Sequence, residues 1–184
     1  MLLEAGRSHL IVVDMQARLM PAIAEADQVV RNATILLQSA KRLGIPVTIA
    51  EQYPKGLGPT VEAVVAALPP HAVILPKITF SAAADEAFAA RVAMLRGEGR
   101  DQAVICGAEA HVCVLQTALG LKALGYRVFV VGDATSSRSP RSASAAHARL
   151  LHAGCDWVTT EMVVFEWLER AGTDDFRALL ALVK

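Results

Sequence analysis

Three residues of this 184-residue chain have side chains suited to nucleophilic chemistry and stand at similar places in its hydrophobic pattern: Asp14, Lys77 and Cys113. Asp14 and Lys77 each follow a short apolar run, and Cys113 follows such a run across a Gly-led turn. A carboxylate can take a thiol proton, an ammonium can stabilise both anions, and the thiolate can attack an electrophilic carbon. Backbone N–H groups of the turn before Cys113 can hold the oxyanion that forms. A cysteine where a turn becomes a helix gains further thiolate character from the partly positive N–H groups of the first helical turn. Each residue also has a plain structural reading: an aspartate capping a turn, a solvated lysine, a small buried residue closing a helix start.

The elements that must position these side chains are read from periodicity. Ala103–Cys106 is a short apolar strand, Gly107–Val112 a turn, Cys113–Leu124 a helix with Val114, Leu115, Ala118, Leu121 and Leu124 at helical spacing, and Arg127–Val131 a second strand. Strand, helix and strand in that order form the crossover unit of a parallel sheet. The same alternation recurs along the chain. Strands are expected at His9–Val13, Val47–Ala50, Ala72–Leu75 and Trp157–Thr159. Helices are expected from a cap at Asp27 to Leu43, over Thr60–Leu68, from Ser81 through Leu95, over Pro140–His152, and in two pieces after Thr159 with Thr173 capping the last. The Pro- and Gly-rich stretch EQYPKGLGPT reads as a long loop.

Six apolar strands separated by helices imply an α/β fold of three layers, a parallel sheet covered on both faces, with right-handed crossovers. Ligands of such sheets sit beyond the carboxyl ends of the strands, where strand order reverses. In the order 3-2-1-4-5-6, strands one and four are central neighbours. Asp14 and Cys113 then face one crevice, and Lys77 reaches in from strand three.

The totals narrow the function classes. One domain over residues 1–184 is expected, with no repeat or low-complexity linker. The 18 basic residues balance the 18 acidic ones, which does not favour nucleic acid or an anionic membrane surface as partner. No apolar run approaches the ~20 residues that span a bilayer, so the 54% hydrophobic content points to a subunit interface and a homo-oligomer. The first residues do not read as a signal peptide. Three cysteines do not form a disulfide framework, which fits a cytoplasmic location where a catalytic thiol stays reduced. Cys106 and Cys155 read as core, Arg18 as exposed, and Trp157, Phe165 and Trp167 as core or subunit contact. No G-x-G-x-x-G follows a strand, so a dinucleotide cofactor is not expected.

VVDMQ (Val12–Gln16), Pro76–Lys77 followed by Thr79–Phe80–Ser81, GAEAHVCVLQTA (Gly107–Ala118) and GDATSSR (Gly132–Arg138) occur in order. In this set the chain resembles the isochorismatase-like cysteine hydrolases, from about Leu10 to Thr160. The resemblance implies a six-stranded parallel sheet and a Cys-Asp-Lys triad at Cys113, Asp14 and Lys77. It also implies a cis peptide joining Ala108 and Glu109, and an oxyanion hole of the Glu109 and Cys113 N–H groups. Family nicotinamidases often hold a metal through an Asp-x-His pair and a further His after strand two; here that stretch has no histidine. No metal is therefore expected, and neither is nicotinamidase activity. True isochorismatases lack the cysteine, which argues against that reaction. The segments EQYPKGLGPT and KITFSA resemble most the isochorismatase domain-containing branch.

The reading is a metal-independent, cofactor-free hydrolase of a small amide or related C–N bond, working through a thioester. Gln16, Tyr53, Phe80 and His111 flank the expected crevice as substrate-pocket candidates. Two other classes stay open: a binding or scaffold protein that keeps the fold without turnover, and a thiol redox sensor.

Overall fold

The computed structural model describes residues 1–184. Its strands are β1 (Ser8–Val13), β2 (Val47–Gln52), β3 (Val73–Lys77), β4 (Gln102–Ala108), β5 (Arg127–Ser136) and β6 (Asp156–Val158). Its helices are α1 (Ala26–Leu43), α2 (Pro54–Leu57), α3 (Glu62–Ala66), α4 (Glu86–Gly97), α5 (Leu115–Ala123), α6 (Pro140–His152), α7 (Thr160–Leu168) and α8 (Asp174–Val183). All strand pairs are parallel, in the order β3-β2-β1-β4-β5-β6.

The apolar runs form strands here because both sheet faces are covered. Every residue of β1 and β4 is buried, so neither can alternate polar and apolar positions. The edge strand β3 alternates in exposure instead, and Ile74 remains 42% exposed. Leu10 and Val12 face α1, α3 and α7 through Leu36, Leu37, Val64, Val163 and Trp167. Ile11 and Val13 face α4, α5 and α6 through Phe88, Val92, Leu121 and Leu150. Burying one such Leu, Ile or Phe contributes about 1.5–3 kcal/mol, so these two layers fix the sheet as a rigid platform. Trp167 is buried and donates its indole N–H to Ser8 Oγ at 2.8 Å. No helix is long and apolar enough to cross a membrane.

Several element ends differ from the sequence reading, each for a local reason. Asp27 lies inside the first turn of α1 and does not cap it; Glu25, at φ 56° and without a side-chain cap bond, precedes the helix. Asp85 caps α4 by accepting from the Ala87 and Phe88 N–H groups at 3.1 and 3.2 Å. Ser81, the expected cap, instead donates its hydroxyl to Gln116 O. The expected Thr60–Leu68 helix shrinks to α3 because Glu51 Oε1 accepts from both the Thr60 N–H and hydroxyl, at 2.7 and 2.6 Å. The EQYPKGLGPT loop contains the single turn α2. β5 continues past Gly132 to Ser136, across an irregularity in its pairing opposite Ile105–Gly107. Thr173 caps α8 as expected, accepting from the Phe176 N–H at 3.0 Å.

Candidate active site

Regular alternation along β1 would send Asp14 to the side of Leu10 and Val12, away from Cys113, which packs with Ile11 and Val13. The backbone breaks that alternation. Asp14 has φ 52°, a left-handed conformation that aspartate tolerates better than most residues. Its N–H still bonds Ala50 O at 3.0 Å, and its own carbonyl accepts from Gln16 N–H at 2.9 Å. The kink is therefore held on both sides. On the adjacent strand, Gly107 passes so close that a Cβ there would lie 2.0 Å from Val13 O, at φ +129°. Only glycine lets β4 run against β1 at this point.

Lys77 ends β3, directly opposite Gln52 in the β2 register. Its ammonium lies 2.9 Å from Asp14 Oδ2, with the two side chains 1% and 0% exposed. The same nitrogen donates to Gln52 Oε1 at 2.6 Å and reaches Thr79 O at 3.3 Å and Phe80 O at 3.4 Å. An ammonium has three protons and no lone pair, so these acceptors engage all of them. Gln52 is itself oriented, because its Nε2 donates to Ile78 O at 2.7 Å. A buried charge pair costs several kcal/mol in lost hydration unless its geometry is satisfied, and on the lysine side it is.

On the carboxylate side it is not. Asp14 Oδ1 is buried without a hydrogen-bond partner, and the Cys113 thiol lies against this carboxylate. Burial pushes the Asp14 carboxyl above its ordinary range, against the opposing pull of Lys77 and Cys113. The Cys113 thiol is pushed up to about 12, by burial first and then by the charge and hydrogen bond of Asp14, while Lys77 pulls it down. This corrects the expectation from the helix terminus. Cys113 sits not in the first turn of a regular helix but in one wide turn, Ala110–Val114, where Val114 N–H bonds Glu109 O at 3.2 Å. Burial thus raises the proton affinity of both the thiol and the carboxyl, and Lys77 opposes both shifts.

The turn that precedes Cys113 contains a cis peptide between Ala108 and Glu109. The Glu109 N–H has no acceptor within the fold. Its side chain is buried and accepts, at Oε2, from Arg138 N–H at 3.0 Å and Arg138 Nε–H at 2.9 Å.

The four pocket candidates separate. Gln16 is fully buried and spent on structure: its Nε2 donates to Gln52 O at 3.0 Å and Gly58 O at 2.7 Å, and its Oε1 accepts from Gln52 N–H at 2.8 Å. It fastens the 51–60 segment to the sheet and has no polar atom left for a ligand. His111 shares a hydrogen bond between Nδ1 and Ser137 Oγ at 2.9 Å. Tyr53 and Phe80 are 52% and 56% exposed, and Ile78, next to Lys77 in the chain, is 71% exposed. Arg18 donates to Gly56 O at 3.0 Å, and Cys106 and Cys155 are buried. Gln52 went unnoticed in the sequence. The signal was there: extending strand two by two residues puts Gln52 on the face of Ala50.

No three His, Cys, Asp or Glu side chains converge as metal ligands. A groove of about 550 Å³ lined by Ala17, Met20, Val30 and Val61 belongs to the α1–α3 side and contains none of Asp14, Lys77 and Cys113.

The isochorismatase domain model matches residues 8–162. The chain is 37% identical to isochorismatase domain-containing protein 1 of Danio rerio over 182 residues, 99% of this chain and 62% of that protein. It thus spans less than two thirds of that relative's length. Among solved structures it superposes on the MAR1 ribonuclease of Caenorhabditis elegans with a TM-score of 0.93 at 30% identity, covering 100% of this chain and 92% of the other. It superposes on the ycaC gene product of Escherichia coli, an octameric hydrolase of unknown specificity, with a TM-score of 0.86 at 25% identity, covering 98% and 90%.

Proposed function

The chain belongs to the isochorismatase family, and we propose that it is a cysteine hydrolase acting on a small amide or related C–N bond. The observation that supports this reading is the Asp14 carboxylate. One oxygen is fixed by Lys77 at 2.9 Å, and the other is buried and free beside the Cys113 thiol. Lys77 has no proton to spare, so it serves as the fixed positive charge and not as the acid or base. Asp14 Oδ1 takes the thiol proton as sulfur attacks the acyl carbon. The negative charge on the carbonyl oxygen is met by the Glu109 and Cys113 N–H groups. Asp14 returns the proton to the leaving amine as the C–N bond breaks, and a thioester remains. Water, giving its proton to Asp14, then attacks that thioester, and Asp14 passes the proton to sulfur as the C–S bond breaks, releasing the acid and restoring the thiol. The raised proton affinity of the buried carboxyl suits it to both transfers.

Self-association accompanies this reading. The exposed Tyr53, Ile78 and Phe80 beside the triad and the octameric state of the Escherichia coli relative support assembly of several copies.

The experiment is intact-mass detection of an adduct after exposure to a mixture of small amides and esters, with wild type and Cys113→Ala. An acyl adduct and product formation, both lost in the folded Cys113→Ala variant, are expected. Turnover that survives the substitution removes the mechanism. No acylation by any member favours a silent binding fold. RNA is included because of the ribonuclease relative, and cleavage lost in Cys113→Ala would move the substrate class to phosphodiesters.

A further inference from the structure

Pairing between β4 and β5 ends at Ala108 opposite Ser136. Beyond that point the nucleophile turn and the segment after β5 are joined by side chains. Glu109 Oε2 accepts from the Arg138 N–H and Nε–H at 3.0 and 2.9 Å, and His111 Nδ1 meets Ser137 Oγ at 2.9 Å. Ser137 is anchored in turn, its carbonyl accepting from Ala24 N–H at 3.1 Å. Glu109 presents a costly choice for an ordinary turn. Its carboxylate is 9% exposed, and a buried charge is tolerated only when paired and hydrogen-bonded. The contacts with Arg138 outweigh burial and hold this carboxyl below its usual range. The same residue's N–H points to no acceptor in the fold.

We infer that Glu109, through its bond to Arg138, is a positioning residue that aims the backbone N–H groups of the nucleophile turn at the carbonyl oxygen of the substrate. The inference rests on the reading of Cys113 as the nucleophile. The clamp acts on oxyanion stabilisation and not on the thiol itself. Reactions of Cys113 that form an oxyanion therefore depend on it, and reactions that form none do not.

Two reagents separate these cases. Acylation by p-nitrophenyl acetate passes through a tetrahedral oxyanion: sulfur bonds to the acyl carbon, and p-nitrophenolate leaves. Alkylation by iodoacetamide is a direct displacement of iodide at carbon with no oxyanion. Rates of both at Cys113 are followed by intact mass in wild type, Glu109→Ala, Glu109→Gln and Arg138→Met. Glu109→Ala keeps the backbone N–H but removes the bond that aims it. Acylation is therefore expected to slow at least tenfold relative to alkylation, short of the roughly 10²–10³ that outright removal of an oxyanion donor costs. Glu109→Gln restores much of the ratio, because its amide oxygen can still accept the Arg138 N–H. Arg138 is 63% exposed, so Arg138→Met keeps the test open if Glu109→Ala fails to fold. It lowers the ratio less, the backbone N–H being retained. Acylation and alkylation falling in parallel, or Glu109→Gln no better than Glu109→Ala, overturns the clamp alone. Wild-type Cys113 that takes neither reagent overturns the nucleophile and the clamp together.

Discussion

Replacing Asp14 by asparagine is expected to make Cys113 alkylate faster while ending any turnover that needs a base. The thiol stands at about 12 because burial and the Asp14 carboxylate both raise it, against Lys77. Asn keeps the shape and the burial but removes the negative charge. Lys77 retains Gln52 Oε1 at 2.6 Å and the Thr79 and Phe80 carbonyls. Two unit charges ~4 Å apart interact by about 4 kcal/mol at an effective dielectric of ~20. One pKa unit is about 1.4 kcal/mol, so a fall of roughly 1–3 units follows. At pH 8, below either value, each unit raises the thiolate fraction about tenfold. A less basic thiolate is also less nucleophilic, with a Brønsted coefficient of about 0.4–0.5, so the net gain is about threefold per unit. Iodoacetamide labelling at pH 8, located by peptide mass, should therefore accelerate roughly 3- to 30-fold in Asp14→Asn, with Cys113→Ala as the blank. An unchanged or slower rate in a variant with native circular dichroism would refute the assignment of Asp14 as the group that holds the proton on sulfur.

Lys77→Met should destabilise the fold by about 3–5 kcal/mol, because it leaves Asp14 buried without its counter-charge. Losing Lys77 removes an influence that lowers the Asp14 carboxyl, so its folded-state proton affinity rises further above the unfolded value. Stability then falls as pH rises through that range, and the deficit in urea midpoints should be larger at pH 7.5 than at pH 5. An equal deficit at both would count against a charged Asp14. At the other end of β1, burial followed by Arg91 and Arg100 lowers the His9 imidazole to about 3 from 6.5. The unfolded chain binds a proton there below 6.5 and the folded chain does not, so acid removes stability by roughly 1.4 kcal/mol per pH unit between those values. His9→Gln should flatten the dependence of urea stability on pH between 6 and 4 by one proton; an unaltered slope would show that His9 is not buried neutral.

The architecture was legible because fully buried parallel strands leave a plain mark. LIVV (Leu10–Val13) and AVIC (Ala103–Cys106) are apolar at every position, the pattern of strands in a sheet covered on both faces. Asp14, Lys77 and Cys113 were legible as candidates because each stands at or just beyond a strand terminus, where ligand crevices open. Gln52 was missed because its role comes from strand register. It lies beside Lys77 only when β2 runs two residues past its apolar run. Asp85 displaced Ser81 as a cap because both are good caps locally, and the contact of Ser81 with Gln116 is tertiary.

Sequence by itself determined the alternation of buried strands and helices, a Gly-led turn at Gly107 before Cys113, and the residue types able to pass a proton to and from sulfur. Tertiary structure alone decided how they interact. The left-handed turn at Asp14 brings its carboxylate to the opposite side of the sheet. The four oxygens around Lys77, drawn from Asp14, Gln52, Thr79 and Phe80, engage its ammonium protons. Burial beside Asp14 pushes the Cys113 thiol up, where a helix terminus alone would pull it down. Charge in a protein is governed by distance and hydration, and neither is written along the chain.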